Sequence, residues 1–127
     1  FVSAQNFDID HIDLKIAEAL GVDYVERMKE VSPQRLQYLT HFLYHSYFIM
    51  DFASGKTYPD VSTVPMRDSL INQVPIDPDN MEMFNVLLYE FQRSENNRTF
   101  YKIGNSGKMI VFYSEKEFSK SYNEIYK

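Results

Sequence analysis

Two histidines four residues apart are the side chains in this sequence whose spacing best suits chemistry. His41 and His45 lie in a stretch that we predict to be helical, and a spacing of four puts both imidazoles on one face, where they can ligate one metal ion. Phe42 stands where a zinc-protease helix carries its Glu. A metal- or His-dependent enzyme at His41 and His45 would therefore need a third ligand from elsewhere, for which the candidates are His11, Asp51 and Asp68.

The same histidines also fit a structural role. Together with Gln34 and Gln37 they form a narrow polar strip along an otherwise apolar helix, as expected at the solvent edge of a buried helix. The sequence favours this interpretation, and we expect no metal, no cofactor and no catalytic residue. Because imidazole titrates near neutral pH, a pH-sensitive contact remains an alternative role for the pair.

Two further segments resemble nucleotide or nucleic-acid motifs only in part. Gly55-Lys56-Thr57 matches the end of a phosphate-binding loop, but Met50 stands where that motif begins with Gly. Residues 12–31 resemble a degenerate helix-turn-helix pair, with Arg27 at a position where the second helix needs an apolar residue. A nucleic-acid-associated regulator is therefore an alternative function, and it would use the basic side chains Arg27, Lys29, Arg35 and Lys56.

The most unusual feature of the composition is its aromatic content. The chain has ten Tyr, ten Phe and no Trp, and Tyr and Phe are enriched in protein interfaces. We therefore predict a non-catalytic protein–protein interaction or regulatory module that binds another protein, with a homo-oligomer left open. The surface we expect lies on the hairpin and the last helix, where a strand edge can also pair with a partner, and comprises Tyr101, Phe112, Tyr113, Tyr122 and Tyr126.

Length and charge limit the alternatives. At 127 residues, the chain has the size of one globular domain spanning 1–127, which is compatible with its being a fragment of a longer protein. A net charge of −5 works against binding a phosphate backbone, and no apolar run is long enough to span a membrane. The absence of cysteine fits the cytoplasm or another reducing compartment.

Helix-capping and turn signals predict the elements that position these residues. Asp8 or Asp10 can cap a first helix ending at Gly21, a short second helix stops before Ser32, and Pro33 starts a long central helix that we extend to about Ala53. Short helices are also expected over 66–73 and, from an acidic capping box, over 79–91.

The end of the chain carries the β signals. Residues 99–103 and 108–113 flank a Gly-Asn-Ser-Gly turn and predict a hairpin, and Ser114 with Glu117 forms a capping box for a last helix. The fold class we expect is α+β and predominantly helical, with about five to six helices and one late antiparallel β-hairpin packed on them.

Overall fold

The computed structural model describes residues 12–52, 55–67 and 76–126. Within these ranges the chain forms four α-helices, three short 3-10 helices and one three-stranded antiparallel sheet, so it is α+β with fewer helices than the sequence predicts. The predicted caps at Asp8 and Asp10 lie outside the described residues, as does most of the predicted helix 66–73.

The first two helices end at the predicted positions, but α1 starts later than predicted, after Asp13 instead of Asp8 or Asp10. Helix α1 is Leu14–Leu20, and its cap is Asp13, whose side chain accepts a hydrogen bond from the amide of Ile16 at 3.0 Å. Gly21 ends α1 with φ of 88°, a conformation that favours glycine, and α2 follows at once as Val22–Val31.

The central helix is shorter than predicted. Helix α3, Pro33–His45, starts at the predicted proline but ends eight residues before Ala53, and Tyr47–Asp51 is a strand, β1. Ser46 lies fully buried at the junction, and its hydroxyl donates to the carbonyl of Phe42 at 2.6 Å. Several apolar residues that make the predicted helix hydrophobic on every side belong instead to this strand, which is buried at Tyr47 and exposed at Met50 and Asp51.

The predicted hairpin is present, and β1 extends it into a sheet. Strands β2, Thr99–Lys102, and β3, Lys108–Phe112, pair antiparallel, and β1 pairs with the other side of β3 to give the order β1-β3-β2. The central strand is buried on both faces, since no residue from Met109 to Phe112 exceeds 1% exposure. The inner face packs on residues of α1, α2 and α3 in the main hydrophobic core.

The predicted helix 79–91 is wrong. This segment contains two 3-10 helices, Met81–Met83 and Val86–Leu88, and its chain is held extended at Tyr89 by an antiparallel bridge to Met66. The Asn85 side chain accepts from the amide of Leu87 at 3.0 Å, a local bond that competes with helix formation. Phe84, Val86 and Tyr89 are thereby buried in the core.

The last helix, α4, is Glu115–Tyr126, and its capping box is confirmed. The Ser114 hydroxyl accepts from the amide of Glu117, and the Glu117 carboxylate accepts from the amide of Ser114, both at 3.1 Å. Helix α4 packs against α3. Among the described residues, no helix has the length and apolar character needed to cross a membrane.

Candidate functional site

The cleft between α3 and α4 collects most of the residues that the sequence singled out. Helix α3 contributes both histidines, α4 contributes two tyrosines, and a third tyrosine follows β3 at the end of the cleft. The five residues are His41, His45, Tyr113, Tyr122 and Tyr126. A cavity of about 520 Å³ opens beside His45 and Tyr113.

Tyr101 and Phe112 do not belong to this surface. They are 6% and 0% exposed, respectively, and both rings pack on Phe91 inside the core. The Tyr101 hydroxyl is held by the backbone of Gln92, accepting from its amide at 2.8 Å and donating to its carbonyl at 3.3 Å. The predicted interaction surface therefore cannot include these two residues, because their strand positions direct both side chains to the inner face of the sheet.

His41 is buried, contrary to the predicted solvent-edge strip. Only 2% of its surface is exposed, and its ring lies 5.2 to 5.6 Å from the rings of Phe118, Tyr122 and Tyr126 on α4. Its Nε2 atom is 3.4 Å from the hydroxyl of Ser121, while its Nδ1 atom is buried and has no hydrogen-bond partner. Burial, and secondarily the neighbouring His45, lowers the pKa of His41 from 6.5 to about 4.

His45 lies at the mouth of the cleft, one helical turn from His41, with 4.6 Å between the two ring centroids. Desolvation against the protein, and then the positive charge of Lys15, lowers the pKa of His45 as well. Both imidazoles are therefore predominantly uncharged at neutral pH, and the pair packs as two aromatic rings.

The geometry gives the histidines no complete catalytic or metal-binding set. Within the described residues, no three His, Asp or Glu side chains come together as metal ligands, and two of the proposed third ligands, His11 and Asp68, lie outside those residues. The His41–Ser121 contact resembles a nucleophile and base, but the carboxylate that would orient Nδ1 in a catalytic triad is missing among the described residues.

An ion pair closes the sheet end of the cleft. The guanidinium of Arg98 lies 2.8 Å from the Glu117 carboxylate and stacks over the rings of Phe48 and Tyr113 at 5.6 and 5.2 Å. The hydrogen bonds from Arg98, followed by that from the Ser114 backbone, lower the pKa of Glu117 to about 2. Tyr113 is thereby held in place between the sheet and α4.

Partly exposed tyrosine rings also lie where α3 and α4 meet, outside the lining of the cavity beside His45. Tyr38 is 43% exposed and lies edge-on to Tyr122 at 5.4 Å, and Tyr122 lies 4.9 Å from Tyr126. Gln37 donates to the Tyr122 hydroxyl at 3.0 Å. Tyr38 is not among the residues predicted for the interaction surface. Its place three and seven residues before the two histidines nevertheless puts it on their helix face. We call Tyr38, His45, Tyr113, Tyr122 and Tyr126 the α3–α4 surface.

The basic residues of the nucleic-acid hypothesis are mostly engaged by α2 itself. Arg27 lies 5.7 Å over the Tyr24 ring, Arg35 donates to the Tyr24 hydroxyl at 3.2 Å, and Lys29 pairs with an acid on the preceding turn. Helices α1 and α2 are joined by Gly21 alone, whereas a helix-turn-helix has a turn of three to four residues. The junction thus departs further from that motif than the sequence indicated.

A larger cavity of about 630 Å³ lies between the 3-10 helix Val61–Thr63 and the hairpin turn. Its described walls are mainly apolar, including Val64, Ile76 and Ile103. The acid in its wall is Asp60, whose carboxylate accepts from the amide of Ser62 at 3.1 Å and so caps the 3-10 helix. This carboxylate has a structural role.

Comparison with protein-family models, with curated proteins and with solved structures finds no match to the chain.

Proposed function

We propose that this chain is a non-catalytic interaction or regulatory module that binds another protein through the α3–α4 surface. The observation that carries the proposal is the cluster of partly exposed tyrosine rings where α3 and α4 meet, which contact one another and the buried ring of Phe118. Tyrosine brings a large contact area and a hydroxyl to an interface while only two side-chain torsions have to be ordered.

The rings are supported in a way that suits binding. Phe118 is 4% exposed and contacts Tyr38 edge-on at 5.7 Å and Tyr122 in a stacked arrangement at 6.4 Å. Tyr122 is further restrained by its hydrogen bond from Gln37. Because these rings already contact neighbouring groups within the chain, they would lose less side-chain entropy on binding a partner than unrestrained side chains would.

The chemistry of the cleft favours binding over catalysis. The imidazole of His41 is covered by aromatic rings, and its low pKa makes it a weak base at neutral pH. The ionisable pair at the cleft end, Arg98 and Glu117, is satisfied by mutual contact. These features support a surface that recognises shape and aromatic groups.

Partner capture with matched variants tests the proposal. The wild-type chain, Tyr38→Lys and Tyr126→Lys would be used as bait in extracts of the cells that express it, with Val31→Lys on α2, at a residue that is 69% exposed, as the control. We expect one protein to be retained by wild type and control, and its affinity to fall about tenfold or more in both tyrosine variants.

Unchanged binding of the partner to both tyrosine variants would contradict the proposal, provided that circular dichroism shows them folded. Retention of nucleic acid in place of protein, with salt-dependent affinity, would favour the alternative on α2.

A further inference from the structure

The two edges of the sheet differ in how their main-chain groups are satisfied. On β2, the amide of Lys102 donates to the carbonyl of Pro59 at 2.8 Å, and Asp60 bridges Lys102 in parallel, so this edge is paired at Lys102. On β1, the register leaves one set of groups pointing away from the sheet. Open strand edges are sites where another strand can add.

The outward groups on β1 can be assigned from the flanking hydrogen bonds. The amide of Phe52 donates to Gly107 and that of Tyr113 donates to Ser46, so by strict alternation Phe48 and Met50 direct their main-chain groups to β3. The amides and carbonyls of Tyr47, Ile49 and Asp51 therefore face outward. Within the described parts of the chain, no hydrogen bond reaches these groups.

This edge lacks three of the features that usually prevent strand addition. Its sequence is Tyr-Phe-Ile-Met-Asp, with no proline and no basic residue, and β1 pairs along its whole length without a bulge. Met50, on the outer face, is 40% exposed although it is large and apolar. The strand therefore presents both unpaired main-chain groups and apolar side chains at one place.

We propose that β1 pairs antiparallel with β1 of a second copy of this chain, about a two-fold axis at Ile49. This register pairs all three outward residues, because Ile49 meets Ile49 and Tyr47 meets Asp51, giving about six main-chain hydrogen bonds. It joins two three-stranded sheets into one continuous sheet. The proposal does not depend on the α3–α4 surface.

The side chains of β1 complement themselves in this register. On the outer face, Phe48 lies opposite Met50 of the other copy, which is a favourable sulfur–aromatic pairing. On the inner face, Asp51 of one copy would lie opposite Tyr47 of the other. The hydroxyl of Tyr47 accepts a hydrogen bond from the buried ammonium of Lys15 of its own chain at 3.2 Å. The charged residue of the strand thus approaches a positive charge, which favours a second copy as the occupant.

A single introduced cysteine tests the register directly, because the natural chain has none. Across the axis, the two Ile49 Cα atoms would be about 5.5 Å apart, within the range that disulfides bridge. We expect Ile49→Cys to give a disulfide-linked dimer of twice 15.1 kDa. Val31→Cys on α2 should give far less of this dimer under the same conditions. Equal crosslinking of both variants would overturn the proposed register.

Sedimentation velocity of the native chain across micromolar to millimolar concentrations tests the dimer itself. We expect a concentration-dependent dimer whose dissociation constant rises at least tenfold in Met50→Lys, which places a charge opposite Phe48, and remains unchanged in Val31→Lys. Ile49→Pro removes an outward amide without removing a bond to β3 and should also give a monomer. A monomeric native chain at every concentration, or a dimer unaffected by Met50→Lys, would overturn the proposal.

Discussion

Acidification should destabilise this fold through His41. The unfolded chain binds a proton on this residue with a pKa near 6.5, whereas the folded chain binds it only near 4. The stabilising effect is therefore fully present above pH 6.5, falls as the pH drops below that value, and is lost when the pH passes about 4. His45, whose pKa is lowered by desolvation and Lys15, acts in the same direction.

The magnitude follows from the separation of the two pKa values. At pH 4.5, a single histidine with these values favours the unfolded chain by about 2.5 kcal/mol relative to pH 7.5, since each pH unit is worth about 1.4 kcal/mol. Solvent screening reduces this to about 2 kcal/mol. Glu117 contributes in a lower range, because its pKa is lowered from 4.5 to about 2 and its effect is lost only as the pH falls through those values.

Urea unfolding followed by circular dichroism at pH 7.5 and 4.5 measures this difference. His41→Gln keeps a polar group near Ser121 but cannot be protonated. We therefore expect its free energy of unfolding to fall between pH 7.5 and 4.5 by about 2 kcal/mol less than that of wild type. His45→Gln is the matched control, since His45 lies at the cleft mouth, and it should change the dependence less.

Equal pH dependence in wild type and His41→Gln would refute this reasoning. An NMR titration gives a second check, because a His41 pKa near 6.5 in the folded protein would show that its ring is accessible to water and would remove the physical cause.

Two substitutions test the core and the last helix. Phe112→Ala should lower the free energy of unfolding by about 3 to 5 kcal/mol, because it empties a fully buried site at the centre of the sheet. Thermal and urea unfolding measure this loss. A loss below about 1 kcal/mol would contradict the position of Phe112 in the core. Ser114→Ala should cost about 1 kcal/mol through loss of the helix cap, whereas Ser119→Ala, at an exposed position of the same helix, should change stability by less than about 0.5 kcal/mol in the same measurement.

Local signals predicted the helix boundaries where the chain itself supplies the hydrogen bonds. Gly21 lies next to the helix that it ends, and Ser114 and Glu117 satisfy each other's amides across three residues; the cap of α1, by contrast, is Asp13 and not the predicted Asp8 or Asp10. Such contacts need no distant partner, so the residue types and their spacing suffice to predict them.

The sequence predicts helix where the structure has strand β1, because the strand forms only by pairing with residues far along the chain. Tyr47–Asp51 is apolar at four successive positions, a pattern shared by buried helices and by strands covered on both faces. What decides between them is pairing with β3, which lies about sixty residues later. The segment around Tyr89 was misjudged for the same reason, since its bridge to Met66 cannot be inferred from period alone.

The sequence indicates which residue types form the candidate site but not which residues from distant parts of the chain contact them. The spacing of His41 and His45 correctly placed both on one helix face. The burial of His41 depends on α4, whose Ser121 and Tyr122 lie some eighty residues away in sequence, whereas His45 stays exposed. No local pattern indicates which helix covers His41, so one member of the strip expected at the solvent edge is an interior residue, while Gln34 and His45 are exposed as expected.

The position of β3 in the sheet has a consequence for how the chain acquires its structure. The strand that occupies the centre is the last one in sequence, and its neighbour β1 precedes it by about sixty residues. During synthesis, α1, α2, α3 and β1 are therefore made well before the strand that covers their apolar residues. Since contacts between distant residues slow folding, we expect refolding to be slow for a domain of this size, with the hairpin forming first as the surface on which the earlier half assembles.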